Sequence, residues 1–360
     1  MRVAFDEQIF AAQRYGGISR LFAELARQFV SNPDLEVDLM PLSSPVINRY
    51  LLDDPFLRSA LDVRESAGTL RSLGRYFTHV RPRTRVDVIH NTFYLPHGLA
   101  GYPGARRVVT IHDMIPELLP QTRRRLDFIT LKKHYVAKAD HVICVSEATK
   151  EDLLSTYGPV KADVSVVHHG VDPIFSPGAA PVVGLPERYV VFVGNRGQYK
   201  DADVLIRAFA GLEDSDLHLV FVGGGPFTRG EHETMERCGV VRRCLQVSLR
   251  DAEMPGAYGN AQMCVFPSRF EGFGLPALES MACGTPVILA RATSLPEVGG
   301  DAAWYFTPGD ADDLGSQMSG LMVDEAARGS LRVRGLARAA TFTWHKAARS
   351  TAEIYSSLVR

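Results

Sequence analysis

Short runs of β-branched and other apolar residues recur along nearly the whole chain, each followed by a turn and then an amphipathic stretch, and this alternation restricts the fold more than anything else in the sequence. The first set is RVAF at 2–5, VDVIH at 86–90, RRVVTIH at 106–112, HVICVS at 141–146 and VSVVH at 164–168. The second is RYVVFVG at 188–194, LHLVFVG at 217–223, CLQVS at 244–248, MCVFP at 263–267 and TPVILA at 285–290. Strands that are apolar on both faces and separated by helical patterns form parallel sheets covered by helices, an α/β class. At 360 residues the chain exceeds what one core supports, which agrees with two such units in series.

Between the two sets, Pro173, Pro177, Pro181 and Pro186 interleave with Gly178 and Gly184. Proline removes an amide donor and glycine favours turns, so no regular element is expected there. The chain is read as an N-terminal domain over 1–170, a linker over 171–187, a second domain over 188–340 and a C-terminal helix over 341–360 that packs back on the first domain. Ligands of open α/β sheets bind beyond the carboxyl ends of the strands, and two sheets in one chain suggest a cleft between them.

Charge and composition exclude several classes. Lys plus Arg number 40 and Asp plus Glu 41, which gives no global case for a nucleic-acid partner. With 46% hydrophobic and 22% charged residues, general disorder is excluded. Cys144, Cys238, Cys244, Cys264 and Cys283 form no CxxC pair and read as reduced, buried thiols of a cytoplasmic protein. Met1 leads straight into an apolar strand followed by Asp6 and Glu7, unlike a signal peptide. No apolar segment is long enough to cross a bilayer. Any membrane association is therefore expected to be peripheral, on the inner face. Two cation-rich segments, Arg64–Arg85 and Arg123–Lys138, are the candidates for contact with anionic lipid; the first includes LRSLGRYFTHV, and a solvated surface is the equal alternative.

The densest segment is PSRFEGFGLPALESMACG, 267–284. It follows a strand, turns through Gly272 and Gly274, and opens a helix near Pro276. Amides around Phe273, Gly274 and Leu275 would point outward with the positive end of a helix dipole, a ready pyrophosphate site. Glu271 at the mouth and Glu279 about one turn inside are odd beside an anion unless they meet hydroxyls. Taken alone, the two carboxylates read more readily as a solvated loop residue and an exposed helix residue.

This segment resembles the large retaining glycosyltransferase family four, the glycosyl transferases group 1, whose pattern E-G-F-G-L-P-x-L-E-x-M-A-x-G-x-P-V is matched throughout by EGFGLPALESMACGTPV. The resemblance extends over essentially the full chain. It implies the GT-B fold, two facing Rossmann-like domains with a central cleft. It also implies hexosyl transfer from a nucleotide diphosphate sugar, with Glu271 and the following amides on the sugar and Glu279 on the ribose. Within the family the run N-R-G-x-Y-K resembles a mannosyltransferase-like subgroup, which favours GDP-mannose over a UDP-sugar as donor. A glycan or lipid-linked saccharide is the implied acceptor, in surface polysaccharide or glycoconjugate synthesis.

The remaining site residues follow from the same two sources. In FVGNRGQYKDADVLIRAF, 192–209, Arg196 and Lys200 stand beside a helix start and can neutralise a diphosphate without a metal. Alone they are as consistent with surface positions; in the resembling family an Arg and a Lys here hold the donor diphosphate. RYGGISR at 14–20 places Gly16 and Gly17 in a strand-to-helix turn, which the family uses to close on donor phosphate. His112 ends a strand, a place more often structural, and in the family contacts the donor sugar. The resemblance also implies that backbone groups near Leu249 and Arg250 stand beside the nucleobase and that FVGGGPF at 221–227 helps to shape its pocket. That run lacks G-x-G-x-x-G because Thr228 replaces the third glycine, so the dehydrogenase fingerprint fails. The DAD triplets at 201–203 and 310–312 fall at helix starts, where Asp is favoured anyway, so no catalytic metal and no cofactor are expected. A nucleotide-sugar epimerase of the same architecture is the alternative.

Overall fold

The computed structural model describes residues 1–66, 85–96, 102–122 and 128–360, which form two units. The helix expected over LRSLGRYFTHV, most of Arg64–Arg85 and the start of Arg123–Lys138 lie outside the described residues. Unit 1 comprises Met1–Gly170 together with Trp344–Arg360, and unit 2 comprises Val171–Thr343.

Unit 1 is built on β1 (Arg2–Phe5), β2 (Asp38–Leu39), β3 (Val88–Asn91), β4 (Arg106–Ile111), β5 (His141–Cys144) and β6 (Asp163–Val166). Unit 2 is built on β7 (Tyr189–Val193), β8 (His218–Val222), β9 (Cys244–Val247), β10 (Met263–Phe266), β11 (Val287–Ala290) and β12 (Trp304–Phe306). Every pairing is parallel, in the orders β2-β1-β3-β4-β5-β6 and β12-β11-β10-β7-β8-β9. The interior strands β3, β5, β10 and β11 are buried along their whole length, which is why their sequences run apolar without alternation. β2 and β12, two and three residues long at sheet edges, have no counterpart in the runs read from sequence. Edge strands this short carry no periodic pattern to detect.

Each sheet has a point where the chain reverses its direction of growth. In unit 1 it lies between β1 and β3, and in unit 2 between β7 and β10. The crevice beyond the strand ends at such a point is where doubly wound sheets bind ligands.

Residues 171–187 form neither helix nor strand. The five cysteines are free thiols, and all but Cys238 are buried. Among the described residues no helix is long and apolar enough to cross a membrane, and no cluster of His, Cys, Asp and Glu suits a metal ion.

The last helix, Trp344–Val359, belongs to unit 1, where Trp344, Ala348, Ala352 and Tyr355 are buried with the helix Gly17–Ser31. The Tyr355 hydroxyl lies 2.6 Å from Nδ1 of His90, whose Nε2 lies 2.8 Å from Oγ1 of Thr110. Both rings are fully buried. Replacing Tyr355 by Phe keeps the shape but strips a partner from a buried imidazole, and should cost about 1–3 kcal/mol of stability. Urea denaturation checks this; an unshifted midpoint would show that the hydroxyl contributes nothing.

Candidate active site

The two loops that leave the reversal point of unit 2 carry the residues with most chemistry. After β7 the chain passes Gly194, at φ +130°, and Arg196 to the short 3₁₀ turn Gln198–Lys200 and the helix Ala202–Ala210. After β10 it passes Arg269 and Glu271 to the helix Leu275–Ala282. The loops are joined directly: the Arg269 amide donates to the Tyr199 carbonyl at 2.8 Å, and the Arg269 guanidinium pairs with Asp201. Lys200 Nζ then meets Oε1 of Glu271 at 2.5 Å, both side chains largely withdrawn from solvent. The Lys200 ammonium also lies over the Tyr199 ring, 5.4 Å from its centroid.

Glu271 is held through its backbone. Its amide donates to Oγ1 of Thr293 at 2.9 Å, and its carbonyl accepts from the Ser294 hydroxyl at 3.0 Å. The same hydroxyl lies 2.9 Å from the Phe273 carbonyl. Sequence reading missed Thr293 and Ser294, because one hydroxyl bridging two carbonyls across a strand crossover leaves no pattern. Gly274 takes φ +101° at the N-cap of Leu275–Ala282, and Pro276 occupies its first turn. A Cβ at Gly274 would lie 3.0 Å from Cδ2 of Leu295, so both conformation and space select glycine. The amides after it open the helix with the positive end of its dipole. Glu279, 7% exposed, accepts from the Tyr258 hydroxyl at 3.0 Å. Burial, then the charge of Glu279, pushes that phenol well above its ordinary range, so Tyr258 stays a donor.

Other expected site residues are placed differently. The Arg196 side chain is 3% exposed and turned onto the loop after β8: Nε donates to Glu231 at 2.7 Å, Nη1 to the Gly223 carbonyl at 2.9 Å, and Nη2 to the carbonyls of Gly225 and Pro226 at 2.8 and 2.9 Å. Leu249 and Arg250 follow β9, at the sheet edge; Arg250 is exposed and bonded to Glu253 at 3.0 and 3.1 Å.

Gly16, Gly17 and His112 belong to unit 1. Gly16 is the N-cap of Gly17–Ser31 in extended backbone, and a Cβ there would lie 2.4 Å from Oε1 of Gln13. That oxygen accepts from the Ser19 amide at 3.3 Å, while Gly17 has open space around it. His112 packs edge-on to Phe22, centroids 6.0 Å apart, is 7% exposed, and neither ring nitrogen has a hydrogen-bond partner. Burial, then the neighbouring histidines His169 and His90, pushes its pKa well below 6.5, which leaves a neutral imidazole.

At the reversal point of unit 1 the sequence reading also missed Asp6. Its carboxylate accepts from the Thr92 amide and hydroxyl at 2.8 and 2.6 Å, and from the side-chain amides of Asn91 and Gln8, each at 2.5 Å. Burial raises its pKa to about 6 against those bonds, which lower it. The signal was available, an acid immediately after β1, yet nothing local says that β3 supplies its donors.

Two family models cover the chain, Glycosyltransferase Family 4 over residues 15–175 and Glycosyl transferases group 1 over 181–336. O-antigen chain mannosyltransferase B of Escherichia coli is 27% identical over 332 residues, spanning 86% of this chain and 82% of that protein. A D-inositol 3-phosphate glycosyltransferase of Kribbella flavida is 31% identical over 304 residues, 75% of this chain and 70% of its own. Among solved structures, Anabaena Alr3699/HepE in complex with UDP and glucose superposes with a TM-score of 0.76 at 19% identity, covering 99% of this chain and 100% of that one. The last likeness shows the fold, that of the GT-B glycosyltransferases. With sequence matches over both units and this fold, the chain belongs to glycosyltransferase family 4, the glycosyl transferases group 1.

Proposed function

We propose that this glycosyltransferase moves a hexose, mannose in the best reading, from a nucleotide diphosphate donor to a glycan or lipid-linked saccharide, with retention and without a metal ion. The observation that carries the donor site is the Lys200–Glu271 pair at the reversal point of unit 2, beside the opening of Leu275–Ala282. A diphosphate there would meet an ammonium and helix amides, which supply the charge stabilisation that leaving-group departure needs. Glu271, released from Lys200 by the incoming phosphate, would accept from a sugar hydroxyl, and Glu279 from a ribose. Retention requires no protein nucleophile if the leaving diphosphate oxygen assists the acceptor on the same face of the sugar. The neutral imidazole of His112 suits a hydrogen bond to a donor hydroxyl and does not suit a proton donor at neutral pH.

Mannose is favoured by the likeness to the Escherichia coli mannosyltransferase and by the N-R-G-x-Y-K run. Thermal shift with GDP, UDP and ADP tests the donor. A ligand at 100 times its Kd adds about 2.7 kcal/mol, an easily read rise in Tm. GDP is expected to give the largest rise; a rise with UDP alone would overturn the donor, and a rise with none of them the nucleotide site.

A further inference from the structure

We infer that Arg196 is a positioning residue that clamps the glycine loop at the end of β8, where it fixes the nucleoside end of the donor, and that it is not a ligand of the diphosphate. This rests on the reading of unit 2 as a nucleotide-sugar site. Gly223, Gly224 and Gly225 stand consecutively at φ +88°, +74° and +71°, a left-handed run that no side-chain-bearing residue adopts readily. Such a run turns its carbonyls out of the strand ladder, and with Gly223 and Gly225 only partly exposed a fixed donor replaces water for them. The Arg196 fork supplies them. Four of its five N–H groups are taken, three by the carbonyls of Gly223, Gly225 and Pro226 and one by Glu231. The guanidinium lies over both the Phe221 and the Phe227 ring, 5.6 and 4.9 Å from their centroids.

The space is closed as well. A Cβ at Gly224 would lie 2.7 Å from Nη1 of Arg196 and 3.2 Å from the Gly194 carbonyl. Glu231 is committed on its other side, where Oε2 accepts from the Thr228 amide at 2.6 Å and its hydroxyl at 2.9 Å to cap the helix Arg229–Arg237. Arg196 thereby ties the β7 loop, the β8 loop and the next helix into one piece. In a β-helix-β unit of this kind the phosphates lie at the loop after the first strand, and the nucleoside extends toward the end of the second, which here is β8. A residue spent on the β8 loop acts on base and ribose. Lys200 remains for the phosphates.

Two measurements on the full chain decide this. Hydrogen exchange of the free protein is compared for wild type, Arg196→Lys and Glu231→Gln. Lysine keeps the charge but has three N–H groups on a single nitrogen and cannot meet Glu231 and three carbonyls together, so exchange in residues 223–232 is expected to rise at least tenfold in Arg196→Lys and to a smaller extent in Glu231→Gln. Unchanged exchange would overturn the clamp. Calorimetric titration then uses GDP, GMP, UDP and pyrophosphate. Arg196→Lys is expected to weaken GDP and GMP by the same factor, about tenfold, to narrow the GDP-to-UDP ratio, and to leave pyrophosphate unaffected. A phosphate ligand would give the reverse: GDP and pyrophosphate weakened, GMP little changed. If wild type binds none of these nucleotides, the donor-site reading fails while exchange still decides the clamp.

Discussion

Replacing Lys200 by Ala is expected to lower kcat/KM for sugar transfer by roughly 10²–10³-fold, about 3–4 kcal/mol of transition-state stabilisation, with the fold intact. Charge develops on the departing diphosphate, and Lys200 is the one sequence-predicted cation that the structure brings to Glu271 and the start of Leu275–Ala282. Its ammonium reaches Glu271 across the two loops, whereas its backbone is held separately by the Gly197 carbonyl at 2.8 Å. Truncation therefore removes charge without unmaking the turn. Glu271→Gln separates two effects. It frees Lys200 from its pair while keeping a hydrogen-bonding side chain, so nucleotide affinity should hold or rise as turnover falls. Initial rates with labelled donor, alongside nucleotide titration, measure both. Unaltered turnover in Lys200→Ala would remove the diphosphate from this loop.

Most of the architecture was legible because buried parallel strands announce themselves as apolar runs. Ten strands were readable; β2 and β12 were not, since an edge strand of two or three residues has too little burial to leave a pattern. The helix opening at Gly274 was readable for a different reason, since glycine and proline encode φ directly. What sequence does not encode is the choice among partners once the chain has folded. Arg196 and Lys200 lie four residues apart with the same charge, yet one turns to Glu231 and three carbonyls and the other to Glu271. That choice depends on Glu231, on a left-handed glycine run and on two aromatic rings, all more than twenty residues away. Asp6 makes the same point, because its donors Asn91 and Thr92 arrive through strand order alone.

Unit 1 is expected to lose stability steeply in mild acid. His90 and His169 are buried and their pKa values are depressed to about 3, chiefly by desolvation; His112 is depressed for the same reason. In the unfolded chain each returns to about 6.5. A group whose folded pKa is depressed contributes stability that is complete above its unfolded pKa and is lost as pH falls toward the folded one, here from 6.5 down to about 3. Asp6 works in the opposite direction. Its pKa is raised to about 6 from 3.8, so the native state gains from protonating it as pH falls through that window. At about 1.4 kcal/mol per pH unit for each group, His90 and His169 against Asp6 leave a net loss of roughly 3 kcal/mol by about pH 4.5, and His112 adds to it in the same direction. That is a large fraction of the stability of an ordinary domain. The two tryptophans fall one in each unit, Trp304 in unit 2 and Trp344 in unit 1, so a Trp304→Phe variant reports on unit 1 alone. Its urea midpoint by fluorescence should fall between pH 6.5 and 4.5, and His90→Gln should flatten that slope. A midpoint constant over that range would mean that these imidazoles take up protons without unfolding, and would leave His112 able to act as a proton donor.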